Sequence, residues 1–202
     1  MIPDIRAGWL LCALTTLLLL LNGCASHGPR FEPHPEVTKQ RANELKLAIL
    51  ELGDNIDARE AQLAAQVAIE YSLQLARTYE ITDSAILHNI KVNLGLRPRG
   101  LCVDWTRDLL ARLKKENLYS LDLHWAIANY ETAFRLEHST VVISGRGQPM
   151  ERGLVLDPWR HSGKLYWSPV LQDPGYQWKP QAQIHALKEQ HEAEARNRSE
   201  LR

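Results

Sequence analysis

The stretch GLCVDWTRDLLARLKKENLYSLDLHWAI (residues 100–127) holds the change of period that decides the fold. Val103, Leu109, Leu110 and Leu113 lie on one side of a helix. Further on, Leu121, Leu123, Trp125 and Ile127 alternate with Asp122, His124 and Ala126, as on a strand with one buried face. Helical spacing precedes this point and strand spacing follows it.

Upstream, Leu45, Ala48, Ile49 and Leu52 predict a helix over 36–52, ended by Gly53. Asp57 opens a longer one to about Tyr79, with Leu63, Ala64, Val67, Ala68, Tyr71, Leu75 and Ala76 along its apolar side. Asp83 reads as the cap of a shorter helix through Ile86, Ile90 and Leu94, stopped by Gly95. Pro98 makes residues 96–100 a loop, and the fourth helix runs from near Cys102 to about Lys115. Downstream, residues 134–144, 153–159 and 164–167 read as strands, with a hairpin-type loop at 144–149. Helices followed by strands predict the α+β class, with N-terminal helices packed on a C-terminal antiparallel sheet. The charged tail, 181–202, reads as helical or frayed.

The chain has 202 residues, 45% hydrophobic, which suits one core and one domain. Lys+Arg and Asp+Glu both number 24, so clustered positive charge for nucleic acid is missing, and pairs such as Lys114-Lys115 read as solvated helix faces. There is no HExxH, paired CxxC or acidic calcium loop, and the GRG at 145–147 is too short for a phosphate loop. No metal and no cofactor are expected.

Residues 1–23 read as a signal rather than as part of the domain. Arg6 precedes an apolar run from Trp9 to Leu21, too short to span a bilayer but suited to a secretory signal core. It closes on Leu21-Asn22-Gly23-Cys24, which resembles the bacterial lipoprotein signal. That resemblance implies cleavage before Cys24, lipid on Cys24, and a membrane anchor in the cell envelope. Ala25 stands where an aspartate tends to retain lipoproteins in the inner membrane, so the outer membrane, facing the periplasm, is expected. Residues 24–35 then form a tether, 36–180 the domain and 181–202 the tail. Cys12 leaves with the signal, so Cys102 is the single thiol of the mature protein, in a compartment where cysteines are usually oxidised in pairs.

A lone thiol there is buried and inert, paired between molecules, or reactive. At a helix start the unpaired N–H groups and the dipole favour the thiolate, the nucleophilic form. Such a nucleophile needs a base, and the base needs an orienting partner. His138 lies on the second predicted strand and Asp157 on the third, where neighbouring antiparallel strands allow an imidazole and a carboxylate to meet. A helix packed across that sheet can bring Cys102 to the other ring nitrogen. His124, also on a strand, is the rival base; Val141, Val142 and Ile143 mark the strand of His138 as central. Asp157 before Pro158 is equally a turn residue, and Trp159, Trp167 and Trp178 either line a cleft or fill the core.

RGLCVDWTRDLL (99–110), LEHSTVVI (136–143) and GLVLDPWR (153–160) together resemble the transglutaminase-like, papain-related cysteine enzymes. The resemblance covers roughly Asp57 to Trp167 and rests on order, spacing and context; Val103 stands where the family has a tryptophan. It implies Cys102 as nucleophile, His138 as general base and acid, and Asp157 as the orienting residue. It also implies acyl transfer through a thioester, on a peptide or protein substrate. The alternative is an inactive member that keeps the fold as a binding module. The Cys102 N–H is one expected oxyanion donor, and Tyr71, Gln74, Tyr79 and Asn89 are candidates for the second.

Overall fold

The computed structural model describes residues 34–132 and 135–200. The signal stretch, Cys24, the tether up to residue 33 and Phe134 lie outside the described residues. The chain is α+β, and among the described residues four helices precede the sheet: α1 (Pro35–Leu50), α2 (Ala58–Thr78), α3 (Ala85–Asn93) and α4 (Cys102–Lys114). The strands are β1 (Leu121–Ala128), β2 (His138–Gly145), β3 (Leu154–Asp157), β4 (Tyr166–Pro169) and β5 (Lys179–Pro180), and α5 (Gln181–Glu200) follows. They form one antiparallel sheet in the order β4-β3-β2-β1-β5. No helix among the described residues is long and apolar enough to cross a membrane.

Local chemistry sets the helix boundaries. Pro35 opens α1, one residue before the predicted start, because its missing N–H has no partner to lose there. Asp57 caps α2 by accepting from Arg59 N at 2.7 Å and Glu60 N at 3.1 Å. The cap of α3 is Ser84, whose hydroxyl accepts from Leu87 N, rather than Asp83. Asp83 is instead drawn to Lys91, at 2.5 Å.

The core lies between α1, α2 and α4 and one face of the sheet. Leu45, Ile49, Ala64, Ala68, Leu109 and Leu113 meet Leu121, Val141, Ile143, Leu154 and Leu156 there. Ala126, Ala128, Val142 and Val155 turn the other way, under Met150, Val170 and Trp178. Every residue of β2 is buried, as suits the middle strand.

Strand β3 stops at Asp157, short of the expected 159, because Pro158 brings no N–H to a ladder. Residues 146–153 join the antiparallel neighbours β2 and β3, as expected of the hairpin-type loop at 144–149, and carry a short 3-10 segment, Met150–Arg152. Arg146 fastens that loop by donating to the carbonyls of Tyr119 and Leu118, at 2.8 and 2.6 Å, while Gly147 N donates to Asp122. Strand β5 was not expected; two residues pair with β1 and hand the chain to α5.

Candidate active site

Cys102 is the first residue of α4, and the loop before it is held from several sides. Gly100 has φ +123°, and a Cβ there would come within 2.5 Å of His88 Nε2, so only glycine fits. His88, fully buried on α3, bonds the carbonyl of Arg99 at 3.0 Å, and Trp105 donates its indole N–H to the carbonyl of Gly100 at 3.0 Å. Asp104, on the first turn, reaches back to accept from Gly100 N and Leu101 N. No side chain caps the helix start, since Leu101 occupies the cap position. The N–H of Cys102 has no hydrogen-bond partner among the described residues.

The thiol is half-buried and forms no disulfide among the described residues. It points to the carbonyl of Glu137 at 3.8 Å, the residue before β2. His138, the next residue, opens β2 and borders the same cavity as Cys102. Its ring packs among Trp159, Tyr176 and Trp178, with centroids 4.6, 4.7 and 5.3 Å away.

Asp157 receives a 2.7 Å hydrogen bond from His138 Nε2. The Arg160 backbone N–H donates to the carboxylate at 3.1 Å, and its Nε does so at 3.1 Å. Burial alone raises the pKa of Asp157, but the His138 charge and hydrogen bond, aided by Arg160, outweigh it and hold the carboxyl below its usual range. The ionised carboxylate only accepts, so Nε2 carries the proton and Nδ1 is the free face of the ring. Nδ1 is buried and has no hydrogen-bond partner among the described residues. Burial by itself lowers the pKa of His138; the Asp157 charge and hydrogen bond, with a contribution from Cys102, raise it to about 9. The contacts thus favour the charged form of the imidazole that borders the cavity of Cys102.

The meeting is arranged differently from the one the strand pattern suggested. Val142 and Val155 face away from α4, and the alternation puts His138 and Asp157 on that same far side. Cys102 reaches His138 at the end of the sheet, where α4 begins and β2 starts, rather than across its face.

Behind the pair stands a second ion pair. Arg160 grips Asp173 through both terminal nitrogens, at 3.0 and 2.7 Å. Asp173 also accepts from Gly175 N and from Trp178 Nε1, each at 2.9 Å. Burial opposes the charge on both, yet each partner's attraction prevails: Arg160 is pushed up and Asp173 is held down. Neither residue was expected at the site. The only local sign was an arginine three residues after Asp157; nothing near Asp173 announces its role.

His124 lies elsewhere on the sheet, bonded to Ser144 Oγ at 2.8 Å. Trp159 borders the Cys102 cavity and Trp178 buttresses the histidine, whereas Trp167 stacks under Arg41 away from the site. The cavity at Cys102 measures about 170 Å3. A larger hollow of about 930 Å3 lies between α1 and α2, lined by Lys39, Gln62, Gln66 and Gln74, but none of its lining residues is a cysteine, serine or histidine. Among the described residues no group of three His, Cys, Asp or Glu side chains could hold a metal ion. No family model matches the chain, and neither the curated proteins nor the solved structures include a significant match.

Proposed function

We propose that the protein is a cysteine enzyme of the transglutaminase-like, papain-related type, held in the bacterial envelope by lipid on Cys24. It transfers the acyl group of a peptide or protein amide onto Cys102. The observation that carries the reading is the divided imidazole of His138: one nitrogen bound to Asp157 at 2.7 Å, the other unpartnered in the cavity of Cys102. That division is what a thiolate–imidazolium pair requires.

In the proposed step the Cys102 sulfur bonds the carbonyl carbon. The carbonyl electron pair moves to oxygen, then returns as the carbon–nitrogen bond breaks. His138 gives its Nδ1 proton to the departing amine. The thioester is released by water or by a second amine.

A binding module that keeps the fold without turnover is the second reading. The cavity of about 170 Å3 favours it, being below the ~300–1,000 Å3 usual for ligand sites. Alkylation of Cys102 by iodoacetamide separates the two. The enzyme reading expects reaction near neutral pH at least ~10-fold faster than free cysteine, because thiolate supply sets the rate, and a comparable loss in His138→Ala. A Cys102 no faster than free cysteine, and indifferent to His138, favours the module.

A further inference from the structure

We propose that Asn89 is the second oxyanion donor, acting through Nδ2; the inference rests on the acyl-transfer reading. Asn89 lies on α3 and borders the cavity shared by Cys102 and His138. Its amide is oriented by Trp159, whose Nε1 donates to Asn89 Oδ1 at 3.0 Å. An indole nitrogen has a hydrogen to give and no lone pair to receive one. The oxygen of Asn89 is therefore the atom at Trp159, and the NH2 group is turned elsewhere. That group donates to no atom among the described residues.

The backbone of Asn89 is fixed relative to Cys102. Its neighbour His88 is fully buried and bonded to Arg99, in the loop that leads into α4. Trp159 is fixed relative to the base, 4.6 Å from the His138 ring. One asparagine is thus tied on one side to the nucleophile's loop and on the other to the imidazole. The other candidates are engaged or do not border the cavity. Tyr79 gives its hydroxyl proton to Asp108 at 2.6 Å, Gln74 lines the hollow between α1 and α2, and Tyr71, though packed near Trp159, is not among the residues that border the cavity of Cys102.

An oxyanion donor matters only when a carbonyl oxygen gains charge. Two reagents on the full-length protein in detergent separate that role from others. Iodoacetamide alkylates sulfur by displacing iodide at a saturated carbon, with no oxyanion. p-Nitrophenyl acetate is attacked at its carbonyl carbon; the electron pair passes to oxygen and returns as p-nitrophenolate leaves, giving acetyl-Cys102. Both rates are taken as the difference from Cys102→Ala, which removes the contribution of other cysteines.

The ratio of acylation to alkylation should fall ~10–100-fold in Asn89→Ala. Asn89→Asp keeps the acceptor for Trp159 but removes the NH2 donors, and the same fall is expected. Its carboxylate also repels a developing oxyanion and can only deepen that fall, so Asn89→Ala, which adds no charge, decides. A ratio within about twofold of wild type in Asn89→Ala overturns the proposal, even if both rates drop together. Asn89 would then serve only to hold Trp159 against His138. A wild-type Cys102 no faster than free cysteine with either reagent overturns the acyl-transfer reading itself, and the donor role with it.

Discussion

The bond between His138 and Asp157 runs diagonally across the β2–β3 ladder. One step beyond the paired Val141 and Leu156, Thr140 stands opposite Asp157, so His138 lies two residues further along. A diagonal contact spans more than a direct one, and a histidine is long enough to close it. Thr140 fills the direct position and donates its hydroxyl to the carbonyl of Leu156 at 2.9 Å.

Asp157→Asn preserves that shape but not the charge. It should slow alkylation of Cys102 near neutral pH several-fold, by weakening the bias towards the imidazolium. Asp157→Ala leaves His138 and Arg160 facing an empty acceptor and should cost ~3–5 kcal/mol, read from the urea midpoint. An Asn variant equal to wild type in both rate and midpoint would reduce the site to a Cys-His pair.

The raised pKa of His138 has a signed consequence. Its contribution to stability is complete below about 6.5, the value of an unfolded histidine, and is lost as pH rises through about 9. The size is on the order of 3 kcal/mol. Asp157 works in the opposite sense: held low, it contributes above the ordinary carboxylate range and loses that as pH falls through its folded value. Urea midpoints should therefore decline between about pH 6.5 and 9 in wild type. His138→Gln should flatten that decline, and Cys102→Ala should end it at lower pH and make it smaller. A decline of equal size in His138→Gln would assign it to other groups.

Arg160→Lys retains a cation but not the fork that spans two carboxylates. Asp173 loses its bidentate partner and Asp157 one of its three donors. A loss of ~2–4 kcal/mol is expected in denaturant unfolding, with Asp173→Asn somewhat milder. An arginine that serves only as a surface charge would give less than ~1 kcal/mol.

Gly100→Ala meets two penalties, the positive φ and the contact with His88. It should destabilise by ~2 kcal/mol or more. In a double-mutant cycle with His88→Ala the steric part should be relieved and the backbone part retained. Full additivity would mean that His88 simply moves aside.

Cys24→Ser should leave an unprocessed precursor and abolish acyl labelling. Labelling that survives the change would assign Cys24 another role and remove the basis for an envelope anchor.

The order of helices and strands was legible because both periods are clean on either side of residues 115–120. Cys102, His138 and Asp157 could be singled out because each sits at an element end beside a recognisable marker: a glycine turn, a run of β-branched residues, a proline. What was not legible depended on distant partners. Strand β5 is two residues long and contains a proline, so no alternation announces it. Asp173 becomes a site residue only through Arg160 and Trp178, and the amide of Asn89 is oriented by an indole 70 positions later. Ser84 and Asp83 are both good caps; Lys91, one helix length away, drew the aspartate off.

Cys102 belongs to the helices that come first in the chain and His138 to the sheet that follows. While the chain is being made, the cysteine emerges before the imidazole of His138. The thiol has no charged neighbour of this kind until β2 has paired with β1 and α4 has docked on the finished sheet. On the proposed reading, folding itself is the step that arms the sulfur, and the rate at which Cys102 gains reactivity during refolding would time the closing of the molecule.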